Sequence, residues 1–198
     1  MNILETVNQS AFLALNAQPG TSDTLLALAR FCASGMIFIV PAILLGLWFL
    51  GGRQGHRQAL FCTLNILMAL ALGYLCGSLW FHPRPFMMPL GHTWISHPAD
   101  NGFPSDHGLV MFSAAFALLS LRLRSLGLFV LLASLPVAWS RIFLGVHFPL
   151  DMAGAAAVAA VAVWVSKGVW QAFGPAMVRI CEAISQRMFS WLPARFTP

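Results

Sequence analysis

The chain has 198 residues, 59% of them hydrophobic and only 9% charged, with a formal net charge of +5. A soluble domain is about a quarter charged, and eleven Lys/Arg with six Asp/Glu are too few to cover a water-facing surface. The composition argues against a cytosolic enzyme, a nucleic-acid binder and a disordered chain, and points to one integral membrane domain over residues 1–198.

Residues 1–23 do not read as a signal peptide, because a basic start is missing and Asn8, Gln9 and Asn16 break the apolar segment. Leu4, Val7, Ala11 and Leu15 recur at helical spacing and predict a short interfacial helix. Gln18-Pro19-Gly20 reads as a turn, after which Thr21, Ser22 or Asp23 can cap a first span. Residues 31–50 and 59–81 carry no charge, and each is long enough to cross ~30 Å of hydrocarbon at ~1.5 Å per residue. Pro41 is expected to kink the first. Three further apolar stretches follow at 108–121, 125–140 and 152–173. The third and fourth spans are short; as buried helices of a soluble core they would lack the charges for a polar outer face. The fifth contains Lys167, placed to snorkel. Beyond it, Met177, Ile180, Cys181, Ile184 and Met188 line one face of a segment that also carries Arg179 and Arg187, which predicts a basic amphipathic helix on the inner leaflet. The expected fold is an all-α polytopic membrane helix bundle, with about five transmembrane helices and short interfacial N- and C-terminal helices.

Five alternating spans put Arg53, Arg57, Arg122, Arg124, Lys167, Arg179, Arg187 and Arg195 on one side, and leave Arg30, Arg84 and Arg141 on the other. The basic-rich side is therefore expected to be cytoplasmic. The N-terminus, Asp23, Asp100, Asp106 and Asp151 then lie on the extracytoplasmic side. Cys32, Cys62, Cys76 and Cys181 form no CxxC pair and read as packed apolar residues.

The rare polar residues gather in three clusters on the outward side. These are His82-Pro83-Arg84-Pro85-Phe86, then Phe103-Pro104-Ser105-Asp106-His107-Gly108, then Ser140-Arg141 followed by His147 and Asp151. The connection from Phe86 to Gly102 has no helical pattern, and a long irregular connection in a compact domain is often functional. Two guanidiniums suit bidentate recognition of a phosphate or carboxylate. Ser105 stands at a helix start, where free N–H groups favour an anion. His147 and Asp151 are one helical turn apart, so the carboxylate can orient the imidazole for attack while His107 serves as acid or base. Taken singly these are an interface anchor, a helix cap and a local hydrogen bond. Together, on one side of a membrane, they are the parts of phosphoryl transfer through histidine. A metal site built from His82, His92, His97 and His107 has no common ligand spacing.

These residues resemble the type 2 phosphatidic acid phosphatase (PAP2) family, whose pattern is Lys-x6-Arg-Pro, Pro-Ser-x-His and Ser-Arg-x5-His-x3-Asp. Ser140-Arg141…His147…Asp151 and Pro104-Ser105-Asp106-His107 match, as does Arg84-Pro85, but the lysine position holds Gly77. The resemblance covers residues 77–151. It implies that His147 attacks phosphorus with Asp151 orienting it, that His107 protonates the leaving oxygen and then activates water, and that Arg84, Arg141 and Ser105 hold the phosphoryl oxygens. No metal or other cofactor is implied. Asp106 is expected to turn its carboxylate away from the phosphate while its N–H contributes. His82 lies near the missing lysine and is a candidate to assist the clamp, with a loop histidine without a role as the simpler reading. The variant motifs are similar to the bacitracin-resistance type of undecaprenyl-diphosphate phosphatase. That implies a polyprenyl diphosphate lipid substrate in contact with membrane lipids, with no nucleic acid and no identifiable protein partner. Phosphatidylglycerol-phosphate or phosphatidic acid phosphatase, a lipid phosphotransferase, and a non-enzymatic anion transporter are the alternatives.

Overall fold

A computed structural model describes residues 3–188. Within these residues seven α-helices run in chain order: α1 (Ile3–Leu15), α2 (Asp23–Ser34), α3 (Ile39–Leu50), α4 (Gly52–Leu79), α5 (Asp106–Ser120), α6 (Arg124–Phe143) and α7 (Pro149–Met188). Among the described residues there is no strand, only an isolated bridge between Pro83 and Asn101. Among the described residues, four helical stretches are long and apolar enough to cross a membrane: 23–50, 52–79, 124–143 and 149–188. Phe31, Phe38, Leu67, Leu132 and Trp164 lie on their outer faces, each more than half exposed. Such apolar belts have no place in water, and the chain is a multi-pass membrane protein of the all-α class.

The first span begins earlier than its uncharged core, at Asp23, because Ser22 caps it by accepting from Leu25 N–H. Arg30 lies inside it and reaches out to the Trp94 carbonyl at 3.3 Å, so its charge does not end the helix. The break expected at Pro41 falls one turn upstream, as a 3-10 turn at Met36–Phe38. A proline ring clashes with the carbonyl four residues before it, here Ile37.

α5 takes the place of the expected third span with 15 residues, about 22 Å at 1.5 Å per residue. It packs against α4, α6 and α7. Leu109, Met111, Ala115, Ala117 and Leu118 are fully or almost fully buried in these contacts. The site is built on its N-terminus.

Two terminal expectations change. In α1 the apolar stripe of Leu4, Val7 and Leu15 does face outward, but Asn8 and Phe12, with Asn16 just past the helix end, turn inward. Phe12 is fully buried with Ile142, Phe148 and Met152. Asn8 accepts from Leu150 N–H at 3.0 Å, and Asn16 donates to the carbonyls of His92 and Phe143. The asparagines that interrupt the apolar pattern are the docking face. At the other end, no separate C-terminal helix exists within the described residues. The segment 177–188 continues α7, which runs unbroken through Pro175 for 40 residues. Glu182 meets His56 at 2.8 Å and Ser185 accepts from the Trp48 indole at 3.3 Å. Docking on α3 and α4 therefore carries the helix past the point where an interfacial helix was expected. Arg195 lies outside the described residues.

Candidate active site

The three polar clusters converge where the α4–α5 loop, the start of α5, the end of α6 and the α6–α7 turn meet. Local chemistry places each group. Ser105 is the N-cap of α5, its hydroxyl accepting from Gly108 N–H at 3.4 Å. Pro149 opens α7 with a fixed φ suited to that position. Asp151 reaches back to accept from Phe148 N–H at 2.8 Å, the acidic half of a capping box. The same Oδ2 lies 3.2 Å from His147 Nδ1, which also meets the Gly102 carbonyl at 3.1 Å. Arg84 Nη1 also lies 3.3 Å from Nδ1, but it is closer to Nε2 at 2.9 Å; the other two partners of Nδ1 only accept, so Nδ1 carries the proton and Nε2 the lone pair. That lone pair accepts from Arg84 Nη1 at 2.9 Å and faces the Ser105 hydroxyl at 3.3 Å. Burial, with the nearby guanidiniums of Arg84 and Arg141, lowers the His147 pKa to about 4. The ring is thus neutral at physiological pH and its free nitrogen is nucleophilic.

The two arginines are held differently. Arg84 is clasped: Nε donates to Asp100 at 2.7 Å, Nη1 to the Val146 carbonyl at 3.0 Å and Nη2 to the Asn101 carbonyl at 3.1 Å. Arg141 is 4% exposed, its Nε has no hydrogen-bond partner, and its guanidinium makes no ion pair among the described residues. A buried charge without a counter-ion is costly. Placed beside a second guanidinium and a neutral histidine, this one makes the cluster a receptor for an anion with several oxygens.

A family profile described as the PAP2 superfamily matches residues 58–175. The chain belongs to that family. YbjG of Escherichia coli (strain K12) is 33% identical over 189 residues, covering 96% of this chain and 92% of that protein. BcrC of Bacillus subtilis (strain 168), described as an undecaprenyl-diphosphatase, is 30% identical over 92% of this chain and 95% of its own. The crystal structure of Aquifex aeolicus LpxE superposes with a TM-score of 0.63 at 21% identity, covering 82% of this chain and 95% of that one; it shows the fold.

Against the PAP2 pattern, the glycine at 77 has a steric reason. Its carbonyl accepts from Asn101 Nδ2 at 2.7 Å, and a Cβ there would stand 3.1 Å from both that nitrogen and the Phe103 carbonyl. The last turn of α4 rests directly on the 101–103 loop, so any side chain at 77 requires that loop to give by a few tenths of an ångström. His107 is half-buried in the field of Arg141, His147, His97 and Arg84, and its ring has no hydrogen-bond partner among the described residues. Asp106 is exposed and lines a cavity of about 330 Å3 with Gly77, Ser78 and Asp100; its charge reaches Arg141 without pairing with it. His92 and His97 do not join His82 and His107 around a common point, and no metal-binding group of three His, Cys, Asp or Glu exists among the described residues.

Two neighbours of the candidate site, His97 and Glu5, carry no signal of that place in the sequence, and the sequence offers His82 only as a nearby candidate to assist. His97 sits with its ring 6.2 Å from that of His147, its Nδ1 on the Pro98 carbonyl at 3.1 Å. Burial lowers its pKa, so it is neutral with Nε2 unprotonated. It comes from the irregular loop, where no periodicity points to a neighbour. His82 turns toward Asp151 at 3.0 Å, and Glu5 from α1 touches His82 at 3.4 Å. Glu5 lies 77 residues from its partner, and nothing in the local pattern announces the contact.

Proposed function

We propose that this PAP2 protein hydrolyses undecaprenyl diphosphate to undecaprenyl phosphate and inorganic phosphate, returning the cell-wall lipid carrier to use and favouring bacitracin resistance. The observation that carries the reading is the unpaired, buried Arg141 guanidinium beside a neutral His147 whose free nitrogen faces Arg84 and Ser105. The description of BcrC, similar over nearly the whole chain, supports the substrate.

In the first step His147 Nε2 attacks the terminal phosphorus and the bond to the bridging oxygen breaks. Undecaprenyl phosphate leaves, its oxygen taking a proton from an acid. Asp151 accepts from Nδ1–H and stabilises the imidazolium that forms. Arg84, Arg141 and the Ser105 hydroxyl hold the non-bridging oxygens, where charge is spread as the phosphoryl group passes. In the second step water, deprotonated by the same group, attacks phosphorus, the P–N electron pair returns to Nε2, and inorganic phosphate is released. His107 is the acid and base. His97 is the second reading for that role, favoured by the proximity of its ring to His147. The chain acts as a single domain in the inner membrane, with this end facing the periplasm or exterior and the Arg53, Arg122 and Arg124 end inside.

The test is a panel of purified lipid substrates assayed side by side for phosphate release: undecaprenyl diphosphate, phosphatidylglycerol phosphate and phosphatidic acid, each with and without excess chelator. Highest kcat/KM on the diphosphate, unchanged by chelator, is expected. Preference for phosphatidylglycerol phosphate would overturn the substrate, and loss of activity with chelator would overturn the arginine-based mechanism.

A further inference from the structure

The Asp151 carboxylate is fully buried and shared by two histidines. Oδ2 serves His147 and the Phe148 N–H. Oδ1 faces His82 Nδ1 at 3.0 Å, and on the far side of that ring Nε2 meets Glu5 Oε2 at 3.4 Å. His82 is buried between the rings of Trp80 and Phe148, at centroid distances of 5.5 and 5.3 Å, and its backbone N–H is held by Asn101 Oδ1 at 3.0 Å. Its outer edge borders a mainly apolar cavity of about 370 Å3, shared with Leu4, Glu5, Trp80 and Leu150. A carboxylate only accepts, so a ring bonded to two of them needs a proton on both nitrogens. The charges acting on His82 are Asp151 from α7 and Glu5 from α1; the Asp151 hydrogen bond raises its pKa most, against burial, and Glu5 adds to the rise.

Resting on the phosphohistidine reading above, we infer that His82, held by Glu5, is a positioning residue that acts on the nucleophile through Asp151. The contact has two effects. With Oδ1 engaged by His82 and Oδ2 by Phe148 N–H, the carboxylate cannot turn, so His147 is fixed with Nδ1 protonated and Nε2 free. Second, the imidazolium draws off part of the Asp151 charge. His147 becomes positive when Nε2 bonds to phosphorus, and a carboxylate shared with a cation stabilises that charge less. The phosphoryl group then passes more readily from Nε2 to water, with the P–N electron pair returning to the ring. Glu5 keeps His82 charged, since loss of the Nε2 proton would set a lone pair against a carboxylate. The proton is present below the raised pKa of His82 and lost as pH rises through it, which gives the turnover rate an alkaline limb.

The experiment uses the purified full-length chain in detergent with farnesyl diphosphate as a soluble polyprenyl diphosphate. Wild type is compared with His147→Ala, His82→Ala, His82→Asn and Glu5→Gln. His82→Asn retains a donor toward Asp151 without the charge, and Glu5→Gln retains shape at a distance from the reacting atoms. His82→Ala should lower kcat by about 10–100-fold, taking as a guide the loss that follows removal of the outer hydrogen-bond partner of a metal-bound imidazole, with KM within about twofold. His82→Asn should recover part of this loss. Glu5→Gln should move the alkaline limb of kcat to lower pH, a readout that a merely structural tie would not shift. If His147→Ala is inactive while Glu5→Gln keeps both the wild-type kcat and the wild-type limb, this inference fails and the nucleophile stands. If kcat falls in every His82 and Glu5 variant with the limb unmoved, His82 is structural and the inference again fails. Undiminished turnover by His147→Ala would remove the underlying reading as well.

Discussion

Replacing Arg141 by Met should make the ligand-free protein more stable and almost inactive, two effects of opposite sign from one guanidinium. Arg141 is 4% exposed, and its Nε lacks a partner. A buried donor left unsatisfied costs about 1–3 kcal/mol. Methionine keeps an unbranched apolar stem and removes both the orphan donor and the repulsion from Arg84. For a chain of this size each kcal/mol moves the melting temperature by about 2–4 °C, so Arg141→Met should melt about 2–12 °C higher in detergent, followed by tryptophan fluorescence. Losing one preorganised charged donor to the transferring phosphoryl group costs about 3–4 kcal/mol, or about 10²–10³-fold in kcat/KM. Inorganic phosphate should raise the melting temperature of the wild type and leave that of the variant unchanged. A variant that melts several degrees lower than wild type, or retains activity within tenfold, would refute the reasoning: the guanidinium would then be a structural group already satisfied without substrate.

Further outcomes follow from the geometry. The His147 pKa of about 4 against 6.5 for a free imidazole sets an acid limb of kcat/KM near pH 4. The unfolded chain takes the proton first, so the contribution of the neutral ring to stability is complete above about pH 6.5 and is lost as pH falls toward 4; melting temperatures of wild type and His147→Gln across this range measure it as a shallower slope in the variant. Gly102→Ala adds a Cβ 3.2 Å from Arg84 Cγ and from the His82 carbonyl and 3.4 Å from Asp151 Oδ2. Overpacking of this kind costs about 1–3 kcal/mol, and both melting temperature and kcat should fall. Gly77→Lys restores the residue of the family pattern but crowds Asn101 and Phe103; phosphate-release kinetics should show lower activity, and a gain in kcat/KM would show that the loop yields.

The parts of the molecule legible in the sequence are those governed by local rules. Apolar stretches free of charge gave the second span well, because a lipid-facing helix must be apolar along its length. The motif spacings marked His147, Asp151, Ser105 and Arg141, because each sits at a helix end where short-range geometry brings neighbours together. Local rules fail where contacts are distant. Asn8 and Asn16 look like interruptions of an apolar stripe, and only the docking of α1 on α6 and α7 turns them into the buried face. The end of α7 has the periodicity of an interfacial helix, but its contacts with Trp48 and His56 come from α3 and α4. Gly77 reads as a missing lysine, and its cause is the close approach of Asn101 across 24 residues. His82, His97 and Glu5 lack any register that would point to His147 or Asp151, so their place in the site depends on the tertiary fold.

In the proposed reaction phosphate passes through His147 Nε2. Rapid mixing of the purified protein with undecaprenyl diphosphate labelled in its terminal phosphate, followed by denaturing quench, tests it most directly. A phosphohistidine at this nitrogen gives protein-bound label that survives base and is lost in acid, formed on the timescale of turnover and missing from His147→Ala. Label on another residue, or full turnover by His147→Ala, would contradict it.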